Sequence, residues 1–231
     1  MTYVHRIPLL LTICCLSTFY AFSQHGNSFV GIRFGLALPM GEMASHEFGS
    51  GGYALLGKSY GAEAAWFVTP EIGFGADISF KSFGFASGYY ADDYIATEPA
   101  FSHVDLLSGP YSVKTFMGGI YYKLPVTHKF FSTFKLMGGL FKARTPDQFY
   151  GVESYMIGKY YFWKTSSRNQ KFTVLAGASI EYRLYEKVSL LLQADFTYAQ
   201  PGFTYITGGS SYVDYMDMPI FQLLPGINIH L

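Results

Sequence analysis

Histidine and aspartate residues between the hydrophobic segments are the first candidates for chemistry in this sequence. His103 is followed two residues later by Asp105, and Asp92 stands directly beside Asp93. Imidazole and carboxylate groups are the usual ligands of zinc and calcium sites. The other histidines are scattered, and the ordinary polarity of loops accounts for these pairs more simply. We therefore predict no metal site and no cofactor.

A serine, a histidine and an acid could instead form a hydrolytic or acyl-transfer site. His46 or His103, with a serine from a loop, are the candidates, but no spacing singles out a pair. The sequence contains neither a GxSxG nucleophile motif nor a glycine-rich phosphate loop. It thus predicts that the chain is not an enzyme.

Charged residues inside the hydrophobic segments form a second group, and we assign nine of them to one face. These are five basic and four acidic residues: Arg33, Glu63, Asp77, Lys81, Lys114, Lys135, Glu181, Arg183 and Asp195. The nearly equal numbers of basic and acidic residues predict that these side chains form ion pairs with one another, because an unpaired buried charge costs far more free energy than a paired one. Arg33, Glu63 and Asp77 fall at similar heights on neighbouring segments, so we expect an internal salt-bridge cluster there.

The stretch 72–81, IGFGADISFK, shows the pattern that positions these charges. Its even positions are all apolar and its odd positions are small, polar or charged, and successive strand side chains point to opposite faces. Eight segments follow this pattern: 29–39, 59–68, 72–81, 111–124, 130–141, 171–183, 188–198 and 221–231. Segment 111–124 is the least regular. With Lys114 directed inward, its Val113, Met117 and Tyr121 would face outward.

The length of the pattern indicates strands that cross a membrane. Ten residues at about 3.3 Å each, tilted by about 45°, span a hydrocarbon layer of about 25 Å. One residue in five is aromatic and only 14% are charged, which suits a surface that faces lipid. The formal net charge is zero, so the composition does not indicate nucleic acid as a partner.

The connections between segments alternate between long and short along the whole chain. This order predicts an all-β fold, an eight-stranded antiparallel up-and-down transmembrane β-barrel. The first strand must pair with the last, because an open sheet edge in lipid leaves backbone groups unsatisfied. In bacterial outer-membrane barrels the short turns and both termini are periplasmic and the long loops extracellular, and we expect the same arrangement here.

The first residues have the features of a secretory signal. An uncharged apolar run follows Arg6, and Ala21-Phe22-Ser23 forms a small-x-small cleavage site. We predict a signal peptide over residues 1–23 and a barrel domain over 24–231. Cys14 and Cys15 both lie in the signal, so the mature chain would have no disulfide.

The chain resembles the outer-membrane β-barrel proteins of Bacteroidota. The resemblance rests on the signal, the eight segments, the loops rich in Gly and Tyr, and the terminal strand. That family is related in architecture to OmpA and OmpX barrels and to PorT-like proteins. The resemblance implies an outer-membrane location and a structural, anchoring or surface-binding role. Its implied partners are outer-membrane lipids, the barrel-assembly machinery during biogenesis, and other proteins of the cell envelope.

Two other functions remain open on the sequence alone. The first is an outer-membrane lipid-modifying enzyme of the deacylase or acyltransferase type, with its His, Ser and acid near the outer rim. The second is a soluble periplasmic barrel that carries a lipophilic ligand. The carrier requires apolar residues inside the barrel and polar residues outside, the reverse of the assignment above, so the polarity of the inner face separates these hypotheses.

Overall fold

The computed structural model describes residues 27–207 and 210–231. The predicted signal peptide, residues 1–23, lies outside the described residues. In chain order the strands are β1 (Phe29–Pro39), β2 (Ala54–Phe67), β3 (Ile72–Phe85), β4 (Phe101–Ser108), β5 (Tyr111–Pro125), β6 (Phe130–Arg144), β7 (Gln148–Ser154), β8 (Gly158–Lys164), β9 (Arg168–Tyr185), β10 (Val188–Tyr198), β11 (Gly202–Thr207), β12 (Ser210–Tyr215) and β13 (Ile220–His230). Helix α1 (Ser87–Thr97) precedes β4, and a short 3-10 turn follows β1 at Gly41–Met43.

Eight of these strands form one closed antiparallel barrel in the order β1-β2-β3-β5-β6-β9-β10-β13. Every segment predicted from alternation overlaps one of these barrel strands. Closure is made by β1 and β13, whose register runs from Phe29 opposite His230 to Pro39 opposite Ile220. The predicted all-β, eight-stranded up-and-down barrel is therefore confirmed, including the pairing of its first and last strands.

The two faces of the barrel differ in chemistry as the alternation predicts. On β1 the outward side chains Ile32 and Phe34 are 64% and 67% exposed, whereas Arg33 between them is buried. On β6 the outward Leu136 is 58% exposed, and its neighbour Lys135 is buried. Along these parts of β1 and β6, apolar side chains thus cover the outside of the wall and charged ones point toward the axis.

The two short turns that follow β2 and β5 use the same local device. The hydroxyl of Thr69 accepts a hydrogen bond from the backbone N–H of Ile72 at 2.9 Å, and the hydroxyl of Thr127 accepts one from Phe130 at 3.1 Å. A threonine side chain of this kind satisfies a backbone group that the tight turn leaves free. Both termini of the barrel and the third short turn lie at this same end, which we name the short-turn end.

The opposite end, the long-loop end, is more ordered than the sequence predicts. The stretches expected to be loops there contain helix α1, a three-stranded sheet in the order β4-β7-β8 and the hairpin β11-β12. The apolar stretch 154–164 contains the turn after β7 and strand β8, which pairs with β7 outside the barrel. In the described part of the chain, no helix has the length and hydropathy needed to cross a bilayer.

Two glycines of the β5-β6 hairpin differ in the space around them and give a test of this register. A Cβ atom at Gly139 would lie 2.1 Å from the backbone oxygen of Phe116, whereas one at Gly118 would lie 3.8 Å from the nearest atom. We expect Gly139→Ala to lower the free energy of unfolding by about 1–3 kcal/mol, because the strand backbone must shift. Urea unfolding followed by circular dichroism measures this.

Gly118→Ala is the matched control for that experiment and should stay within about 0.5 kcal/mol of the original chain. Equal effects of the two substitutions would contradict the register of β5 against β6.

Candidate functional site

A buried ion cluster fills the middle of the barrel lumen and joins five strands, β1, β2, β3, β6 and β10. Glu63 lies at its centre, 2.9 Å from the Arg33 guanidinium and 2.6 Å from Nζ of Lys135. Lys135 also lies 3.2 Å from the Asp195 carboxylate and 3.9 Å from that of Asp77. All of these side chains are buried. We name these five residues the central cluster.

Gln193 adds neutral hydrogen bonds to the central cluster. The side-chain amide of Gln193 accepts a hydrogen bond from Nε of Arg33 at 2.7 Å and donates one to Asp195 at 2.6 Å. Gly177 stands in the register between Lys135 and Asp195, and a Cβ there would lie 2.2 Å from the Asp195 carboxylate. The missing side chain at Gly177 therefore leaves the space through which Lys135 reaches Asp195.

Lys81 occupies the lumen on the long-loop side of this cluster. Its ammonium donates hydrogen bonds to the hydroxyls of Ser79 at 2.8 Å and Thr115 at 3.1 Å. With Lys81 counted, three cations (Arg33, Lys81 and Lys135) face three carboxylates (Glu63, Asp77 and Asp195). The buried charge is thus balanced, which limits the cost of removing it from water.

A second ion cluster lies nearer the short-turn end. Nζ of Lys123 is 3.2 Å from the Glu181 carboxylate, which lies 2.7 Å from Nε2 of His230. The Arg183 guanidinium lies over the ring of Phe131, 4.6 Å from its centroid. Of the nine residues assigned to the inner face from the sequence, the structure places eight in these two regions of the lumen.

Lys114 is the exception, because it lies on the outer face of β5, and Lys123 occupies the lumen instead. The predicted direction of β5 was wrong: Val113, Met117 and Tyr121 point inward, and Phe116 and Ile120 point outward. Apolar residues occupy both sets of alternate positions in this strand, so alternation cannot identify its faces. The pairing with β3 identifies the two faces, because directly opposite residues of paired strands point to the same side. Lys114 lies opposite the outward Phe80, and Met117 lies opposite the inward Asp77.

Apolar side chains, together with buried hydroxyl and amide groups such as the hydrogen-bonded pair Ser59 and Gln222, fill the rest of the lumen. At the long-loop end, Met43, Phe203, Met216 and Met218 come from the loops and pack against inward residues of the barrel strands, and all four are buried. Beside the central cluster lies a cavity of about 10 Å³, lined by Arg33 and other inward residues. Such a volume holds at most about one water molecule. The described lumen is therefore a packed core.

One buried group in the lumen has the residue types of a hydrolytic triad but not its geometry. Ser189 lies 2.8 Å from Nε2 of His230, and Glu181 lies 2.7 Å from the same nitrogen. In a Ser-His-acid triad the acid orients the imidazole through its other nitrogen, Nδ1, while Nε2 takes the serine proton. Because Nε2 meets both partners here and all three side chains are buried, the arrangement supports the barrel and does not activate the serine.

The loop histidines considered for catalysis are placed apart. His46 stacks on the rings of Tyr53 and Tyr89, with centroids 5.2 and 5.0 Å away. His103 lies 3.1 Å from Asp105 on an exposed strand of the loop sheet. In the described part of the chain, no three His, Cys, Asp or Glu residues come together as they would around a metal ion.

An aromatic cleft at the long-loop end is a feature that alternation does not predict. Its volume is about 760 Å³, within the size range of ligand sites. The residues that line it come from α1, the loop sheet, the connection between β8 and β9, and the β11-β12 hairpin: Tyr90, Tyr94, Tyr150, Phe162, Trp163, Lys164, Thr165, Ser166, Thr204, Tyr205 and Tyr212. Tyr150 and Phe162 stack with centroids 4.5 Å apart and form one wall.

Lys164 is the cation of the aromatic cleft. Its ammonium lies 4.8 Å from the centroid of the Tyr205 ring, and burial lowers the pKa of Lys164. Burial also raises the pKa of Tyr90 and of Tyr150. The cleft therefore offers neutral phenol groups, apolar ring faces and one cation whose charged form is partly desolvated.

Comparison with known proteins gives matches among solved structures. No protein-family model matches the sequence, and no curated protein matches it. The attachment invasion locus protein Ail of Yersinia pestis is 11% identical with a TM-score of 0.47, and the match covers 90% of this chain and all of Ail. Neisserial surface protein A is 12% identical with a TM-score of 0.46, over 88% of this chain and 97% of that one.

The outer membrane protein AlkL, solved in lipid bilayers, is 10% identical with a TM-score of 0.49, over 90% of this chain and 92% of its own.

Proposed function

We propose that this chain is an integral outer-membrane β-barrel protein with a closed lumen and a structural, anchoring or surface-binding role. The observation that carries the proposal is the sidedness of the wall. Phe74 and Ile78 are exposed on the outer face of β3, whereas Asp77 beside them is buried in the lumen. In water a barrel is more stable with its charged side chains outside and its apolar ones inside. In lipid the observed arrangement, with apolar side chains outside, is the more stable one.

The height of the apolar surface supports the same proposal. Outward residues of β6 from Phe130 to Leu140 are apolar or small, and those of β9 from Tyr182 to Phe172 form a parallel stripe. Ten residues at about 3.3 Å and a tilt of about 45° give a band of about 23 Å, close to that of outer-membrane barrels. A soluble carrier of a lipophilic ligand would need an apolar cavity where this barrel has ion pairs.

The aromatic cleft supports a surface-binding role in preference to a purely structural one. Tyr212 and Trp163 line the cleft, and 51% and 70% of their surfaces are exposed. Large aromatic side chains are usually buried, so rings exposed to this extent indicate a surface that binds a partner. Lys164 would hold an anionic or hydrogen-bonding group of the ligand. We propose that the cleft faces the cell exterior, with the short turns and both ends of the barrel in the periplasm.

The partners proposed for the barrel follow from this placement. Outer-membrane lipids would surround the apolar wall, and the barrel-assembly machinery would insert it through its last strand. The outward residues Leu223, Ile227 and Ile229 of that strand are each exposed by 43% or more. Other proteins of the cell envelope are the partners we propose for the loops. No catalytic role is proposed, since the grouping of Ser189, His230 and Glu181 is buried and bonded through one nitrogen.

Folding of the purified chain into lipid vesicles tests the proposal directly. We expect the folded protein to migrate differently from the boiled protein on electrophoresis, to enter the outer-membrane fraction of cells, and to give no steady ion current in planar bilayers. The last result is expected because side chains fill the lumen. Recovery of the folded chain from the soluble periplasmic fraction would contradict the membrane placement, and a steady current would contradict the closed lumen.

A further inference from the structure

Four cations lie together on the outer face of the barrel where the apolar wall ends. Lys114 belongs to β5, Lys142 and Arg144 to β6, and Arg168 to β9, and all four are at the long-loop ends of their strands. They line a cavity of about 480 Å³ together with neutral side chains, among them Ser112 and Gln170. We name these four cations the basic rim patch.

Like charges face each other across the strands of the basic rim patch. Lys114 lies directly opposite Lys142, and Arg144 lies directly opposite Arg168. Directly opposed like charges destabilise a sheet. Arg144 forms an ion pair with Asp147, but Lys114, Lys142 and Arg168 pair with no carboxylate in the described part of the chain.

Aromatic rings give only partial compensation. The ammonium of Lys114 lies 5.6 Å from the centroid of the Phe80 ring, and that of Lys142 lies 5.6 Å from the Phe116 ring. Cation–π contacts hold a side chain in place but leave its full charge. The repulsion across β5, β6 and β9 would be relieved by an anion bound between the strands.

The basic rim patch is confined to one side of the barrel. At the long-loop ends of the strands on the opposite side, the outward residues are Leu38 on β1, Tyr198 on β10 and Phe221 on β13. Lys58 on β2 is a further outward lysine near this end, and β3 separates it from the patch. Cations placed only to mark the edge of a membrane would be spread around the whole rim. Their concentration on three adjacent strands indicates a site.

Apolar side chains continue directly below the cations. Phe116 lies opposite Leu140, and Leu140 lies opposite Phe172, so the three form one row across β5, β6 and β9. All three are exposed on the outer wall. A ligand that fits the basic rim patch and this row together has an anionic head and hydrocarbon chains, whereas a free inorganic anion would use only the cations.

We propose that the basic rim patch binds the phosphorylated headgroup of an outer-leaflet lipid, whose acyl chains lie against Phe116, Leu140 and Phe172. This inference rests on the proposed membrane placement, in which the patch stands at the height of the outer headgroups. Arg168 would form paired hydrogen bonds to phosphate, and the lysines would act as point charges beside it. A bound lipid would thereby become a fixed part of the protein surface.

Native mass spectrometry of the full chain in detergent micelles tests the inference. The probes are diphosphorylated lipid A, its dephosphorylated form, and inorganic phosphate alone. We expect the diphosphorylated lipid to remain bound and the dephosphorylated form to bind at least about tenfold more weakly, since it offers no phosphate to the cations of the patch. The double variant Lys142→Gln/Arg168→Gln should lose a similar factor for the diphosphorylated lipid.

The matched control removes two charges elsewhere. Lys58→Gln/Lys187→Gln changes one outward lysine on β2 and one exposed lysine at a short turn, and it should bind as the original chain does. Equal loss in both double variants, equal binding of the two lipid forms, or full displacement by inorganic phosphate would overturn the lipid site. In each of these cases the folded, vesicle-inserted chain would still support the proposed function, whereas a chain that fails to insert would overturn both.

Discussion

Replacing Glu63 by methionine is expected to lower the free energy of unfolding by about 3–5 kcal/mol. Glu63 is the carboxylate that pairs with Arg33, and it also lies 2.6 Å from Lys135. Its removal leaves three lumen cations facing the two carboxylates of Asp77 and Asp195, in a packed interior that water cannot readily enter. Urea unfolding of the vesicle-inserted protein, followed by the heat-dependent shift on electrophoresis, measures the loss.

A second substitution separates the loss of an ion pair from the loss of packing. In the double variant Arg33→Met/Glu63→Met the remaining charges are balanced again, with Lys81 and Lys135 facing Asp77 and Asp195. Because replacing a whole buried pair by apolar groups is often neutral, we expect the double variant to regain most of the stability. Arg33→Met alone should be costly, since it strands the Glu63 charge against a single partner.

Glu71→Met is the control, because Glu71 is exposed in the first short turn and its substitution should change stability by less than about 0.5 kcal/mol. If Glu63→Met were as mild as this control, the central cluster would contribute no stability to the barrel. If the double variant were no more stable than the single ones, the loss would come from packing and not from unpaired charge.

The sequence predicts the barrel well where the two faces of a strand differ strongly. On β1, Ile32 and Phe34 alternate with Gly31 and Arg33, so the strand has an evident outer and inner face, and the structure agrees. Alternation also places eight of the nine assigned charges at strand positions that face the axis, without any knowledge of their partners. It cannot show which pairs form, because Lys135 and Glu63 are 72 positions apart.

Alternation fails where both faces of a strand are apolar. On β5, Met117 and Tyr121 point into the lumen and Phe116 and Ile120 point outward, and neither set is polar enough to identify its side. The direction is set by the neighbouring strands, since Asp77 must stay away from lipid and Met117 lies opposite it. This is why Lys114 was assigned to the lumen and Lys123 was missed.

The long-loop end was the least predictable part, because its order comes from pairing between distant stretches. Strand β4 pairs with β7 from Phe101 opposite Ser154 to Ser108 opposite Gln148, and no local pattern specifies that register. The aromatic cleft depends on this sheet, on α1 and on the β11-β12 hairpin. The abundance of tyrosine in these stretches was the available signal, since tyrosine is common in both strands and binding surfaces.

A charge placed on the outer wall is the second large effect that we expect. Leu136 lies on the outer face of β6 between Phe134 and Gly138, near the middle of the apolar band, and is 58% exposed. In a bilayer, Leu136→Arg should cost about 2–4 kcal/mol, because the guanidinium would lie at the depth where a charge is least tolerated. On a soluble barrel the same exposed position would accept arginine with a change within about 0.5 kcal/mol.

Leu184→Arg is the matched control, since it makes the same substitution on the outer face of β9 at the short-turn end. Leu184 is 43% exposed and lies beyond Tyr182, where the apolar band ends, so its cost should be about 0–1 kcal/mol. The difference between the two variants therefore measures depth in the membrane and cancels the intrinsic effect of arginine on a strand. Unfolding of both proteins from vesicles gives that difference. Equal costs at Leu136 and Leu184 would mean that no hydrocarbon layer surrounds the wall, and the apolar exterior would then have to be covered by a protein partner.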